Sequence, residues 1–300
     1  MIHFFHSDRF VPILPDGHRF PIVKYQLVRE QLLYEGVISE NELTEAHPVD
    51  ESEIMRVHTP AYWRAMRDLR LDPRAMRRIG FPQSATLVDR SRRSVQGTLS
   101  AAIFALEQGC GVNLAGGTHH AYANHGEGFC LLNDIAVAAR YLLDEKKLRQ
   151  ILIVDLDVHQ GNGNAKIFAH EPRVYTFSMH CQANYPLRKE ESDLDLGLGV
   201  GTKDQEYLNL LSQRLPILIE QVKPDFIFYQ AGVDVLATDK LGRLSLSPYG
   251  CKSRDELVIG LCVTHQIPLA ISMGGGYSER VADTVNAHVQ TFKLAAEAYG

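Results

Sequence analysis

The chain has 300 residues, with 31 lysines and arginines against 36 aspartates and glutamates, giving a net charge of −5. Hydrophobic residues make up 45% and charged residues 22%, a balance that excludes intrinsic disorder and leaves no global basic footprint for nucleic acid. No apolar run reaches the roughly 18 residues of a membrane helix; the strongest are 151–154 and 226–229. The N-terminus lacks the basic and apolar regions of a secretion signal. Five cysteines (Cys110, Cys130, Cys181, Cys251 and Cys262) are scattered and never in C-x-x-C spacing, as in a reducing compartment. The expectation is a cytoplasmic protein without membrane or nucleic-acid partners, folded as one domain over 1–300.

The first 80 or so residues are irregular, with Pro12, Pro15, Pro21, Pro48, Pro60 and Pro73 among them; they are expected to wrap a sheet as helices and loops. Residues 84–106 carry Leu87, Val88, Val95, Leu99, Ile103 and Leu106, close to the 3.6-residue period of a helix, and Gly109 and Gly111 stop it. A short strand over 112–115 ends in Gly116-Gly117. A helix follows over 134–143, and 150–154 has the continuous branched run of a strand buried on both faces. A short helix is expected at 164–169 and a strand at 173–178. Residues 204–222 read as a helix opened by a Thr202–Gln205 capping box and kinked at Pro216. A strand (225–229), a helix (254–264), a strand (268–272) and a closing helix (279–298) complete the chain. This alternation predicts an α/β fold, a central parallel sheet wound with helices on both faces.

In such sheets ligands bind outside the carboxyl ends of the strands. Four predicted strand ends carry reactive side chains: His119-His120, Asp155-Leu-Asp157-Val-His159, Asp234, and Gly274-Gly-Gly-Tyr277. Asp157 and His159 are two positions apart, so an extended backbone points both the same way. With Asp234 they make an Asp-His-Asp set, suited to a catalytic zinc with one open position. Singly, each of these fragments could be a helix cap or a surface pair. Arriving together from four strands, they read as a metal site with an acid–base histidine pair. The glycine run lets the backbone approach closely, and the Tyr277 phenol can donate to an oxyanion.

These residues resemble the zinc-dependent histone deacetylase and acetylpolyamine amidohydrolase superfamily, with its arginase-like α/β fold. The resemblance rests on GGTHHAYANHGEGFCLLND (116–134), DLDVHQGNG (155–163), YTFSMH (175–180), AGVDVLATDKLGRLSLS (231–247) and GGGY (274–277), with VHTPAYW (57–63) upstream. The compact length looks most like the class IV, single-domain branch and its bacterial relatives. The resemblance implies a lysine deacetylase with Asp157, His159 and Asp234 as ligands of Zn2+ or Fe2+. It implies His119 and His120 beside the attacking water and Tyr277 as oxyanion donor. Gly128 and Phe129 become walls of a tunnel for the acyl-lysine stem, with Tyr185 and Leu241 as further wall candidates. Asp155 would partner His119 and also hold a structural K+ or Na+, together with the carbonyls of Asp157, His159 and Met179 and the Ser178 hydroxyl. One position departs: Asn162 stands where many relatives carry the aspartate that orients the second histidine. A neutral amide leaves His120 uncharged and able to accept a proton, while Asp155 favours a protonated His119. The implied substrate is an acylated lysine of a protein or peptide; the alternatives are small acylated amines such as acetylpolyamines, or long-chain fatty-acyl-lysine.

Overall fold

The computed structural model describes residues 1–300. Its strands are β1 (Ile2–His6), β2 (Leu43–Glu45), β3 (Cys110–Asn113), β4 (Ile151–Asp155), β5 (Val174–Cys181), β6 (Leu194–Leu198), β7 (Phe226–Gln230) and β8 (Leu269–Ser272). The helices are α1 (Lys24–Tyr34), α2 (Glu51–Ile54), α3 (Pro60–Arg67), α4 (Pro73–Ile79) and α5 (Ala85–Gln108), then α6 (Asp134–Glu145), α7 (Asn162–Phe168), α8 (Asp204–Val222), α9 (Pro248–His265) and α10 (Val281–Tyr299).

The strands form one all-parallel sheet in the order β2-β1-β3-β8-β7-β4-β5-β6. Strand alternation feeds two cores, because successive side chains leave opposite faces. Ile151 and Ile153 of β4 enter one core with Phe226 and Phe228 of β7; Leu152 and Val154 enter the other with Ile227 and Tyr229. Helices α5 and α6 cover the first face, and α1, α8, α9 and α10 cover the second. Burial on both faces is what the continuous apolar runs of β4 and β7 require. The α/β expectation holds.

Three local expectations need correction. The first 80 residues do more than wrap the sheet: β1 pairs with β3 and β2 pairs with β1. The Thr202–Gln205 capping box is absent, since the cap is Lys203 without a side-chain bond and the Thr202 hydroxyl donates to the Gly199 carbonyl at 3.0 Å. Helix α9 begins at Pro248, well before 254, because Ser247 caps it and proline suits the first turn.

Strands β3, β8, β7 and β4 are adjacent. The four strand ends that carry the reactive side chains therefore open onto one crevice, where the strand order reverses.

Candidate active site

The turn after β3 is built on two glycines in the left-handed region, Gly116 (φ 75°) and Gly117 (φ 76°). Asp134, at the first position of α6, clamps that turn. Its carboxylate accepts the backbone N–H of Gly117 at 2.9 Å and of Thr118 at 2.7 Å, plus the Thr98 and Thr118 hydroxyls. This fixes the two residues that follow. His119 Nδ1 donates to Asp155 Oδ2 at 2.6 Å, His120 Nδ1 donates to Asn162 Oδ1 at 2.6 Å, and the two rings lie 4.1 Å apart.

The two histidines stand in opposite electrostatic environments. Burial disfavours a charged His119, but the Asp155 and Asp157 carboxylates outweigh it and lift its pKa to about 9. Burial, then the neighbouring His119 and His159, push His120 well below the usual histidine range. The orientation of Asn162 is fixed from its far side. Its Nδ2 donates to Glu127 Oε1 at 2.7 Å and to the Tyr122 hydroxyl at 3.0 Å, so Oδ1 must face His120. An accepting oxygen puts the proton on His120 Nδ1 and leaves Nε2 as a bare acceptor.

Asp157, His159 and Asp234 each offer a ligand atom, and these atoms lie within 4.8 Å of one another. His159 Nδ1 is 3.0 Å from Asp157 Oδ1 and 3.1 Å from Asp234 Oδ2. Asp157 and Asp234 are 1% and 0% exposed, and the imidazole of His159 is their nearest cationic partner. Two buried carboxylates against one imidazole form a proton-hungry cluster. In the polypeptide alone, burial and then the Asp157 charge raise the Asp234 pKa to about 7, while hydrogen bonds to both carboxylates overcome burial and raise His159 to about 10. The surroundings are shaped to this cluster, since a Cβ at Gly275 or Gly232 would run into its carboxylates. Gly275 N–H donates to Asp157 Oδ2 at 2.9 Å and Val158 N–H to Asp234 Oδ1 at 2.9 Å. The donor set, hard oxygens plus one imidazole, fits a divalent ion such as Zn2+ or Fe2+.

Tyr277 follows the glycine run, where Gly274 (φ 68°) takes a conformation that suits glycine. Its ring centroid lies 6.5 Å from that of His159, edge to face. Burial and the Asp234 and Asp157 charges raise its pKa far above the usual phenol value, so it is a donor throughout the physiological range.

All four wall candidates line one funnel of about 360 Å³ that descends to His120, His159 and Tyr277. Phe129 has φ 66°, costly for a bulky residue. It is held by hydrogen bonds from Gly128 N–H to the Arg78 carbonyl and from Phe129 N–H to the Ile79 carbonyl, at 3.2 and 2.7 Å. A Cβ on Gly128 would meet His120 Cδ2 at 2.6 Å, so only glycine leaves this wall in place. The Tyr185 ring stands edge-on to His120 at 5.0 Å. Behind the site, a smaller cavity of about 70 Å³ is lined by Phe20, Tyr25, Arg90 and the Gly116-Gly117 turn.

Three supporting residues escape sequence reasoning. Asp239 accepts the Tyr277 N–H at 2.6 Å and those of Leu241 and Gly242 at 2.8 Å, tying the phenol to the funnel wall; its place in the 231–247 stretch was the only available signal. Lys24, fully buried in α1, donates to the carbonyls of Gly274 and Gly276 at 3.0 and 3.4 Å, and burial lowers its pKa to about 8. Nothing in a lone lysine announces such a role. Glu127, which orients Asn162, lies inside the 116–134 stretch without being distinguished there.

Comparison with known proteins gives the family of this doubly wound chain. Residues 18–292 match the histone deacetylase domain, and the chain belongs to the histone deacetylase family. Histone deacetylase 2 of Arabidopsis thaliana is 30% identical over 278 residues, covering 89% of this chain and 72% of its own. An uncharacterized protein of Picosynechococcus sp. is 44% identical over 295 residues, 98% of each chain. The crystal structure of a histone deacetylase homolog complexed with SAHA superposes with a TM-score of 0.84 at 23% identity, over 99% of this chain and 84% of its own, and so shares the fold. Membership supports a deacetylase or amidohydrolase activity. No helix is long and apolar enough to cross a membrane.

Proposed function

We propose that this chain hydrolyses the side-chain amide of acylated lysine, acetyl-lysine first, in proteins or peptides. The observation that carries this reading is the floor of the funnel. There the His119-His120 pair, the Asp157-His159-Asp234 cluster and Tyr277 come together below the walls formed by Gly128, Phe129, Tyr185 and Leu241. Asp157, His159 and Asp234 would hold one divalent ion, zinc or ferrous iron, which when bound supplies Lewis acidity to an amide carbonyl and to water.

The remaining work falls to the chain. His120 Nε2 accepts a proton from the attacking water, because Asn162 keeps the other nitrogen protonated. Protonated His119, steadied by Asp155, adds positive charge beside the reacting centre. The Tyr277 hydroxyl donates to the carbonyl oxygen as that atom gains negative charge, contributing about 3 kcal/mol to the transition state. His120 then returns its proton to the departing nitrogen, so the products are a carboxylate and a free lysine amine. Gly128, Phe129, Tyr185 and Leu241 exclude water along the stem. A structural K+ or Na+ is proposed at Asp155, Ser178 and the carbonyls of Asp157, His159 and Met179; the register of β4 on β5, which sets Asp155 opposite Ser178, supports it. All five cysteines are buried and unpaired, which supports a reducing compartment such as the cytoplasm.

The assignment of His120 as base makes a pH prediction. Asn162→Asp, made together with Glu127→Gln so that two carboxylates do not meet, puts a charge against His120 Nδ1. An opposite charge raises a histidine pKa, so the base stays protonated to higher pH and the acidic limb of kcat/KM moves up. A limb that stays put, with His119→Ala more damaging than His120→Ala, reverses the two roles.

The substrate is tested with metal-loaded protein and a panel of acetyl-lysine peptides, long-chain acyl-lysine peptides and acetylated polyamines. Acetyl-lysine peptides are expected to have the highest kcat/KM. A panel in which only polyamines or only long-chain peptides react replaces this reading with the corresponding alternative.

A further inference from the structure

The mouth of the funnel carries charge of one sign. Four arginines line it: Arg19 from the segment before α1, Arg77 and Arg78 from the last turn of α4, and Arg243 from the loop after Asp239. All four are exposed, and none has a carboxylate within ion-pair distance. No aspartate or glutamate lines the funnel. Among acidic groups nearby, Glu127 is engaged by Asn162, Asp239 by three backbone N–H groups, and Asp72, whose charge acts on Arg77, by the N–H groups of Arg74 and Ala75. Compensation of the α4 dipole accounts for Arg77 and Arg78 at a helix C-terminus. It does not account for Arg19 and Arg243, which reach the same rim from distant parts of the chain. In a protein of net charge −5, this rim is opposite in sign to the molecule as a whole.

Resting on the acyl-lysine reading, we propose that the arginine rim selects acylated lysines in acidic surroundings. The stem of the lysine enters the funnel, so its sequence neighbours stay at the mouth. Guanidinium groups there can pair with flanking Asp or Glu carboxylates, bidentately where geometry allows. Exposed charges interact over a Debye length of about 8 Å at physiological salt, and a concave low-dielectric mouth focuses the field. The same rim repels substrates that carry free ammonium groups close to the amide. Acylated polyamines and Lys/Arg-rich tails are both of that kind.

The test uses three acetyl-lysine peptides of equal length, flanked by Asp/Glu, by Ser/Gly or by Lys/Arg. Their kcat/KM is measured on metal-loaded protein at low and high salt, and their binding is followed independently by fluorescence anisotropy. The acidic peptide is expected to exceed the basic one by about tenfold or more at low salt, mainly through KM, with the gap closing as salt rises. Arg77→Glu combined with Arg243→Glu is expected to invert the order. Should that variant fold poorly, Arg77→Gln with Arg243→Gln is expected to erase the preference. Equal binding and turnover of all three peptides overturns the proposal, as does a preference that survives both salt and substitution. Hydrolysis of the Ser/Gly peptide in that case leaves the deacylase reading standing, whereas turnover of acetylated polyamines and of no peptide overturns both.

Discussion

Asp234→Asn is expected to weaken divalent-metal binding by more than about 100-fold, beyond what disturbing a mere supporting partner of a ligand brings. The amide is isosteric and can still accept the Val158 N–H that Asp234 Oδ1 takes at 2.9 Å, so the fold should survive. It also removes one of two carboxylates buried side by side with only an imidazole between them. The metal-free variant should therefore melt no lower than the metal-free parent, because the lost charge was an unfavourable one there. The parent should gain thermal stability as metal is added, by mass action on the folded state, and the variant should not. The same carboxylates set a pH dependence. Asp234 (pKa about 7) and His159 (about 10) hold protons that a metal must displace. Metal affinity should thus rise as pH climbs through about 7 toward 10, and fall below it. Metal analysis and calorimetry check both statements. Unchanged stoichiometry and affinity in Asp234→Asn would remove this residue from the ligand set.

Tyr277→Phe should lower kcat by about 10² to 10³, some 3–4 kcal/mol of lost transition-state stabilisation, with KM nearly unchanged. Only a hydroxyl is deleted. The backbone anchors are independent of it: Asp239 holds the Tyr277 N–H, and Lys24 holds the Gly274 and Gly276 carbonyls. Metal content and melting should therefore stay at parental values, which separates lost chemistry from lost structure. A variant of near-parental kcat would mean that the developing charge is stabilised without the phenol.

The fold was legible where periodicity was strong. Continuous branched runs marked β4 and β7, and the 3.6-residue pattern marked α5, because burial on both faces or on one stripe leaves those signatures. Strand β1 was missed because His3 and His6 interrupt its apolar side chains. Strand β6 was passed over although Leu194, Leu196 and Leu198 alternate, since as an edge strand pairing only with β5 it lacks the continuous apolar run of the strands buried on both faces.

The site shows the same division. The candidate site residues sit shortly after strands, where local sequence exposes them, and the structure brings His119, His120, Asp157, His159, Asp234 and Tyr277 together. Residues that hold these in place came from elsewhere. Lys24 reaches the glycine run from 250 positions away and Asp134 reaches the Gly117 turn from 17. Asp239 reaches Tyr277 across 38 positions. Such contacts depend on tertiary packing, which no local pattern encodes. The arginine rim is of this kind too, since guanidinium groups from three separate segments, Arg19, Arg77-Arg78 and Arg243, become one feature only when the funnel is assembled.

The claim that this cluster makes the chain a metal-dependent deacylase is tested most directly by titrating metal-stripped protein with Zn2+ or, anaerobically, Fe2+. Release of free amine from an acetyl-lysine peptide with uncharged flanks is followed at each addition. The expected rate is negligible without metal, rises in proportion to bound ion, and levels off at one equivalent per chain. Full activity in the metal-stripped protein, or no amine release from that peptide at one bound equivalent, would contradict it.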